Sequence, residues 1–454
     1  MSVGFSILVV LFAALVVCTV YVSGVISRIT RIPQLIFYLL VGLIVGPVGL
    51  GLVTLQLLVW DPVTTSFILT LEGELLKIVV GLAVAIIIFE GGYSFNLRRF
   101  RPLLGGITRL SLIGGIITWV LMTLLFLYVA YFPIGVAMLC GVLCGITGPT
   151  VIQPIVQQLG IKEEVGGTLE GEGLLNDALS VIIVAVIFGA ILEGGFGSII
   201  AFPLQVAFNL GLGVLTGLAV GGLGILISRA IAPTFTRRFQ NHFNSDILGQ
   251  LSRVGVLIAA FLAYGLGEVV AIEAGIVSAL LAGILIGNRH AFGSTKEHSE
   301  VEPSVHSFQM DLTKIAIATV FILLATMISL EAITNILLGN YLIYGVPPIP
   351  FAGLILVVAL ILVVRPLSVL VATLGTQFTL RERLFMSFLG PRGIVIASTG
   401  LFLTIELLID FSAHGHLIIP GLLPGYIFLI VLTTVVLEGG LAPLTARLFG
   451  VSRS

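Results

Sequence analysis

Residues 167–192 read GTLEGEGLLNDALSVIIVAVIFGAIL, an apolar stretch that contains the acids Glu170, Glu172 and Asp177 and the amide Asn176. A bilayer core about 30 Å thick is crossed by a helix of about 20 apolar residues. An acid at that depth costs roughly 2.5 to 3.5 kcal/mol on insertion scales, so it needs a partner or a function. Asp177 lies about nine residues into the predicted helix, or ~14 Å at 1.5 Å per residue. The stretch therefore predicts a membrane helix with a polar centre.

The composition extends this reading to the whole chain. Of 454 residues, 58% are hydrophobic and 9% are charged, and the mean hydropathy is +1.21. These values exclude a water-soluble globule. The net charge of -1 provides no basic field that would recruit nucleic acid. We predict an all-α polytopic membrane protein, a single transmembrane unit over residues 1–454 with the lipid bilayer as its surroundings and no soluble regulatory domain.

Windows of about 20 apolar residues predict thirteen transmembrane helices. They lie near residues 5–27, 33–54, 75–94, 103–130, 134–158, 168–191, 198–230, 248–267, 270–288, 308–330, 347–375, 384–408 and 419–446. Alternate joints carry 17 of the 21 basic residues, and basic loops stay cytoplasmic. We expect a multi-pass protein of the cell (inner) membrane, with the N-terminus outside and the C-terminus cytoplasmic.

Two of these spans are interrupted in a matching way. Gly148-Pro149 breaks the fifth span and Gly390-Pro391 breaks the twelfth, seven spans later. This offset predicts two inverted repeats, about 5–191 and 248–448, joined by a linking span at about 198–230. The broken helices would cross near the midplane, where half-helix ends face a bound ion. Two coincidental glycine-proline kinks remain the alternative.

Asp177 has three readings. As a structural residue it would bond a neighbouring helix, although a neutral side chain would do so at lower cost. As half of an aspartyl protease it would need a second aspartate, and the spans offer only Asp311, near a cytoplasmic end. As a carrier it needs only a pocket in which a proton and a cation compete for the same oxygen atoms. We favour the carrier, and no catalytic motif in the spans indicates an enzyme.

The remaining intramembrane charges are assigned around Asp177. Arg392 follows the second break, and Glu172 is the acid left over, so we predict a structural ion pair between Glu172 and Arg392. Glu90 is expected to line an inner vestibule, or else to be an acid near the interface.

Two further groups of charges lie in the later spans. Asp311 and Lys314 have the spacing of a local pair. Arg365 receives no role from the sequence.

Four motifs together resemble the sodium/proton exchangers of the NhaP branch of monovalent cation:proton antiporters. The likeness covers nearly the whole chain. The motifs are Phe89-Glu90-Gly-Gly, Thr147-Gly-Pro149-Thr-Val-Ile, Glu170-Gly-Glu172-Gly-Leu-Leu-Asn176-Asp177-Ala and Gly390-Pro-Arg392-Gly-Ile-Val.

The resemblance implies a homodimer of thirteen-span protomers, each with a dimerisation domain and a six-helix core domain that moves like an elevator. It implies that Asp177 binds a cation or a proton alternately, beside Asn176, and that Thr147 lends an oxygen atom. It also implies that Glu172 and Arg392 form a structural pair, and that Asn176, where relatives have a second aspartate, goes with electroneutral exchange. Beyond the transported cation and protons, no cofactor is expected.

Two positions depart from the family pattern. Gly148 stands where the family usually has an aspartate, and Gly173 where a serine is common, so two oxygen ligands are missing. Water, the Thr147 backbone and Glu90 would fill in, or the site would prefer a larger cation such as potassium. We predict a sodium/proton antiporter that serves pH homeostasis. A potassium or lithium antiporter, a cation channel and an organic-anion transporter stay as alternatives.

Overall fold

A computed structural model provides the fold, which is nearly all helical. The structure describes residues 3–30, 33–50, 58–61, 66–69, 71–192, 201–239, 245–271, 274–289, 302–328, 330–341, 347–393, 395–400, 403–404 and 418–451.

The first half of the chain contains ten helices among its described residues, and one antiparallel hairpin. The helices are α1 (Val3–Thr30), α2 (Gln34–Val45), α3 (Leu71–Tyr93), α4 (Leu97–Phe100), α5 (Leu104–Arg109), α6 (Gly115–Tyr128), α7 (Ile134–Gly145), α8 (Pro149–Leu159), α9 (Glu163–Leu192) and α10 (Ala201–Phe239). Strands β1 (Leu58–Asp61) and β2 (Ser66–Leu69) pair with Leu58 opposite Leu69. A 3₁₀ turn, Arg101–Leu103, joins α4 to α5.

The second half contains helices and no strand among its described residues. Its helices are α11 (Ser245–Val270), α12 (Ala274–Gly287), α13 (Glu302–Thr326), α14 (Leu330–Leu338), α15 (Ala352–Ala359), α16 (Arg365–Ala372), α17 (Leu380–Phe388), α18 (Ile418–Thr434) and α19 (Gly440–Phe449). Residues 395–400 are also helical.

Three π turns interrupt these helices: Leu110–Gly114, Leu360–Val364 and Val435–Gly439. Two of them have a physical cause in a following proline. Pro366 and Pro443 lie just beyond the second and third π turns. Each lacks an N–H, and its ring would clash with the carbonyl four residues earlier, so the preceding turn widens. None of the three π turns was predicted from the sequence.

The predicted all-α membrane architecture is confirmed. Eight helices of the described chain are long and apolar enough to cross a membrane, and four shorter ones are apolar. Every predicted span contains helix, although part of the twelfth, including residues 401–402 and 405–408, lies outside the described residues. Helix α9 begins at Glu163, before the predicted start at 168. The β1–β2 hairpin and α14 were not predicted.

The chain packs as two compact units. The first contains residues 1–80, 103–180 and 317–454, and the second contains residues 81–102 and 181–316. Both predicted helix breaks belong to the first unit. The assignment of inverted repeats stays a prediction.

Candidate ion-binding site

The two helix breaks meet in the first unit. Residues 146–148 are non-helical between α7 and α8, and residues 389–393 are non-helical after α17. The Gly148 N–H donates to the Pro391 carbonyl at 2.9 Å. A Cβ atom at Gly148 would lie 2.3 Å from the Gly393 Cα, so only glycine permits this approach. The breaks at Gly148-Pro149 and Gly390-Pro391 therefore cross backbone to backbone, as predicted from the sequence.

Asn176 links α9 to the first break. Its amide nitrogen donates to the Gly145 carbonyl at 3.4 Å and to the Thr147 hydroxyl at 3.5 Å. The same nitrogen lies 3.5 Å from Glu172 Oε1, one turn earlier on α9. Thr147 is fully buried and Asn176 is 4% exposed. The structure thus brings together two of the predicted ion-site residues, Asn176 and Thr147.

Asp177 is a buried acid in the middle of α9. It is the fifteenth of the 30 residues in Glu163–Leu192, and it is 6% exposed. Its Oδ1 is buried and has no hydrogen-bond partner in the described part of the chain. A charged carboxylate oxygen in that position is costly unless a proton or a cation compensates it. Asp177 is therefore suited to bind one or the other.

The predicted ion pair between Glu172 and Arg392 is wrong, because Glu172 pairs with Arg365. Arg365 Nη1 lies 2.5 Å from Glu172 Oε1, and Nη2 lies 2.9 Å from Oε2. Both side chains are buried, at 5% and 1% exposure. Arg365 begins α16, directly after the second π turn, and there its planar guanidinium meets the carboxylate side-on. The sequence offered Arg365 no role, although it is an arginine inside an apolar span.

Arg392 instead supports the crossing. One of its guanidinium nitrogens, Nη1, donates to the Ile146 carbonyl at 3.4 Å, and its backbone N–H donates to the Thr434 hydroxyl at 3.2 Å. The residue is 1% exposed. Arg392 therefore joins the second break to the first break and to α18.

Glu438 is a site residue that sequence reasoning missed. It lies in the third π turn, is 2% exposed, and its Oε2 accepts the Gly390 N–H at 2.7 Å. It also interacts electrostatically with Arg392 and Arg365. The signal was present in the sequence, because Glu438 is the single charged residue of the predicted span 419–446.

Glu90 belongs to the second unit, where it has a polar partner. The Ser94 hydroxyl donates to Glu90 Oε1 at 2.6 Å and lies 3.4 Å from His306 Nε2. The proposed part of Glu90 in ion binding stays a prediction. In the same unit, Lys314 Nζ lies 2.9 Å from Asp311 Oδ1, so these two residues form the predicted local pair.

Known structures share this fold. The sodium proton antiporter MjNhaP1 from Methanocaldococcus jannaschii, solved at pH 8, superimposes with a TM-score of 0.74 at 20% sequence identity, over 97% of this chain and 98% of that one.

Related sequences cover most of the chain as well. The Na(+)/H(+) antiporter 1 of the same organism is 24% identical over 431 residues, which is 92% of this chain and 90% of that protein. The K(+)/H(+) antiporter NhaP2 of Shewanella sp. (strain MR-4) is 25% identical over 386 residues, 84% of this chain and 58% of that protein.

The chain thus shares its fold with a sodium proton antiporter, and both of these relatives are named as cation/proton antiporters. The profile of the transmembrane sodium/hydrogen exchangers matches residues 10–447. The chain belongs to the sodium/hydrogen exchanger family.

Proposed function

We propose that the protein exchanges sodium for protons across the cell membrane, and that Asp177 binds the two ions alternately. The observation that carries this proposal is a contrast among three of the buried carboxylates of the first unit. Glu172 forms an ion pair with Arg365, and Glu438 accepts the Gly390 N–H and interacts electrostatically with Arg392. By contrast, Asp177 Oδ1 has no hydrogen-bond partner among the described residues.

Charge counting gives the stoichiometry. Among the five charged side chains counted here, Glu172 and Glu438 balance Arg365 and Arg392, so an ionised Asp177 leaves this set with one excess negative charge. One proton or one monovalent cation cancels that charge. Since burying an uncompensated charge is costly, the site holds one of the two ions whenever it moves between the membrane faces. Exchange is then one-for-one and electroneutral.

Asp177 is enclosed in this conformation, at 6% exposure. Exchange therefore requires a rearrangement that opens the site to each membrane face in turn. We assign this to an elevator-like movement of a six-helix core within a homodimer, with the N-terminus outside and the C-terminus cytoplasmic. The family resemblance and the basic-residue bias support these assignments.

Cation choice depends on the oxygen atoms around Asp177. Thr147 Oγ1 and the Gly145 carbonyl both accept from the amide of Asn176, which is the residue that precedes Asp177. Gly148 adds no ligand, and its contact with Gly393 leaves no room for a side chain there. We propose sodium as the cation. The short ligand set and the relatives named as K(+)/H(+) antiporters support potassium as the second candidate.

The test uses purified protein in proteoliposomes that hold an imposed pH gradient. Adding sodium, lithium or potassium in turn should dissipate the gradient, with sodium effective at the lowest concentration. Asp177→Asn should abolish the response to every cation, because a neutral amide cannot exchange a proton for a cation.

Asp311→Asn provides the matched control. This exposed acid lies in a local pair with Lys314, so its loss should leave exchange intact. Cation-dependent dissipation that persists in Asp177→Asn would overturn the proposal, and a stronger response to potassium than to sodium would overturn the choice of cation.

A further inference from the structure

We propose that Glu438 is a positioning residue: it fixes the second helix break and supplies the counter-charge of Arg392, so that a cation is attracted to Asp177. This inference rests on the proposed function of Asp177.

The backbone of the second break needs hydrogen-bond acceptors from another helix. The Leu389 N–H still donates to the Phe385 carbonyl, but the N–H groups of Gly390 and Arg392 lie beyond the end of the helix, and inside a membrane each must find another acceptor. Glu438 Oε2 accepts the Gly390 N–H at 2.7 Å, and the Thr434 hydroxyl accepts the Arg392 N–H at 3.2 Å. One short stretch of the last span, 434–438, therefore provides both acceptors.

Glu438 occupies an irregular position in the last span. It lies in the π turn Val435–Gly439, between α18 and α19. π turns are rare, and they recur at functional sites because the extra residue redirects side chains. Here the turn directly follows Thr434, so one acceptor of the break lies just before this irregularity and the other lies within it.

The buried charge of Arg392 needs a counter-charge. Arg392 is 1% exposed, and its guanidinium is close to a carbonyl oxygen, that of Ile146, rather than to a carboxylate. The groups that act on it electrostatically are Glu438, Arg365, Cys144 and Glu172. Glu172 is already occupied by Arg365 in a two-point pair. Glu438 is therefore the acid that balances Arg392.

A chain of contacts connects Arg392 to Asp177. The Arg392 guanidinium donates to the Ile146 carbonyl. The residue after Ile146 is Thr147, whose hydroxyl accepts from the Asn176 amide, and Asp177 directly follows Asn176. Removing the charge of Glu438 would leave an uncompensated positive charge along this path. A cation approaching Asp177 would be repelled, because Coulomb interactions are weakly screened in a buried site.

The experiment measures sodium-dependent exchange in proteoliposomes for Glu438→Gln, Glu438→Asp and Thr434→Val. Glu438→Gln keeps the shape but loses the charge, and should raise the KM for sodium by about 3- to 10-fold, with the rate at saturating sodium changed less. Glu438→Asp should stay within about twofold of the original KM. Thr434→Val removes only an acceptor, and should lower the rate without raising the KM.

An unchanged KM in Glu438→Gln, with only lower protein stability or rate, would overturn the proposal in favour of a purely structural residue. If Glu438→Gln alone does not fold, the charge-balanced double variant Glu438→Gln/Arg392→Met serves instead. Its KM should stay near the original value, and a raised KM would contradict the proposal. Loss of exchange in Asp177→Asn is measured in parallel, so a failure of Glu438 is distinguishable from a failure of the ion site.

Discussion

Glu172 and Asp177 lie on the same helix and have different environments. Glu172 receives a planar guanidinium at 2.5 and 2.9 Å, whereas Asp177 Oδ1 is buried without a partner in the described residues. A carboxylate with a fixed counter-charge gains little from a proton or a cation, while one without a counter-charge gains much. The first is suited to structure and the second to transport.

Breaking the Glu172 pair should destabilise the fold strongly. Arg365→Met leaves a buried carboxylate without its base, which costs about 3 to 5 kcal/mol. We expect a large fall in the melting temperature of the detergent-purified protein. Lys314→Met is the control, because it breaks an exposed pair worth about 0 to 1 kcal/mol. Equal melting shifts for the two variants would contradict this assignment of the buried pair.

Sequence reasoning identified the acids but not the correct base. Hydropathy identifies Glu172 and Asp177 because any charge inside an apolar span stands out. It cannot select between Arg365 and Arg392, since both lie in apolar spans and the choice depends on the π turn that orients Arg365. The role of Glu438 was missed for a related reason. It accepts a backbone N–H that lacks a helical acceptor only because another helix is broken.

At the scale of elements, the crossing of the two breaks organises the site. Gly-Pro pairs indicate where a helix stops, so both breaks were predictable. Their contact was predictable only as a consequence of the proposed repeat. The hydrogen bond from Gly148 to Pro391 and the approach of Gly148 to Gly393 are products of packing that no local pattern contains.

Replacing Gly148 by alanine should damage the crossing. The new methyl group would lie 2.3 Å from the Gly393 Cα, a backbone atom that cannot rotate away. We expect a loss of about 1 to 3 kcal/mol from overpacking, with impaired exchange. Gly105→Ala is the matched control, because no atom lies within 4 Å of the place that its methyl group would take. A Gly148→Ala protein that melts and exchanges like Gly105→Ala would show that the contact is not required.

A surface cap at α17 gives a pH-dependent prediction. Partial burial raises the pKa of Glu382, but bonds from the Thr379 N–H and the Lys162 ammonium outweigh it, so the pKa lies below its ordinary value. Lys162 Nζ lies 2.9 Å from Glu382 Oε1. A lowered folded-state pKa means that this stabilisation is present at neutral pH and is lost as the pH falls through that pKa.

Glu382→Gln should therefore lower the melting temperature slightly at pH 7, by at most about 1 kcal/mol of stability. The difference from the original protein should shrink in strongly acidic buffer, where Glu382 is protonated in both states. Thermal melting across the acidic range measures it. A difference that is constant with pH would indicate packing rather than charge.

At the scale of the whole molecule, the hydropathy of the sequence predicted the membrane architecture. The predicted spans contain helix because about 20 apolar residues in a bilayer have few alternatives to a helix. The paired strands β1 and β2 and helix α14 were not predicted, because they lie between spans, where hydropathy carries little information. The two compact units depend on contacts between distant segments, which span prediction does not address.

We propose that Asp177 holds either one proton or one cation at a time. Titration calorimetry of sodium binding to the purified protein, in buffers with different ionisation enthalpies, counts the protons released per cation bound. We expect the count to approach one proton per sodium ion at pH values where the sodium-free site is protonated and to fall at higher pH, with neither sodium binding nor proton release in Asp177→Asn. Sodium binding without proton release throughout the pH range, or the same release in Asp177→Asn, would contradict it.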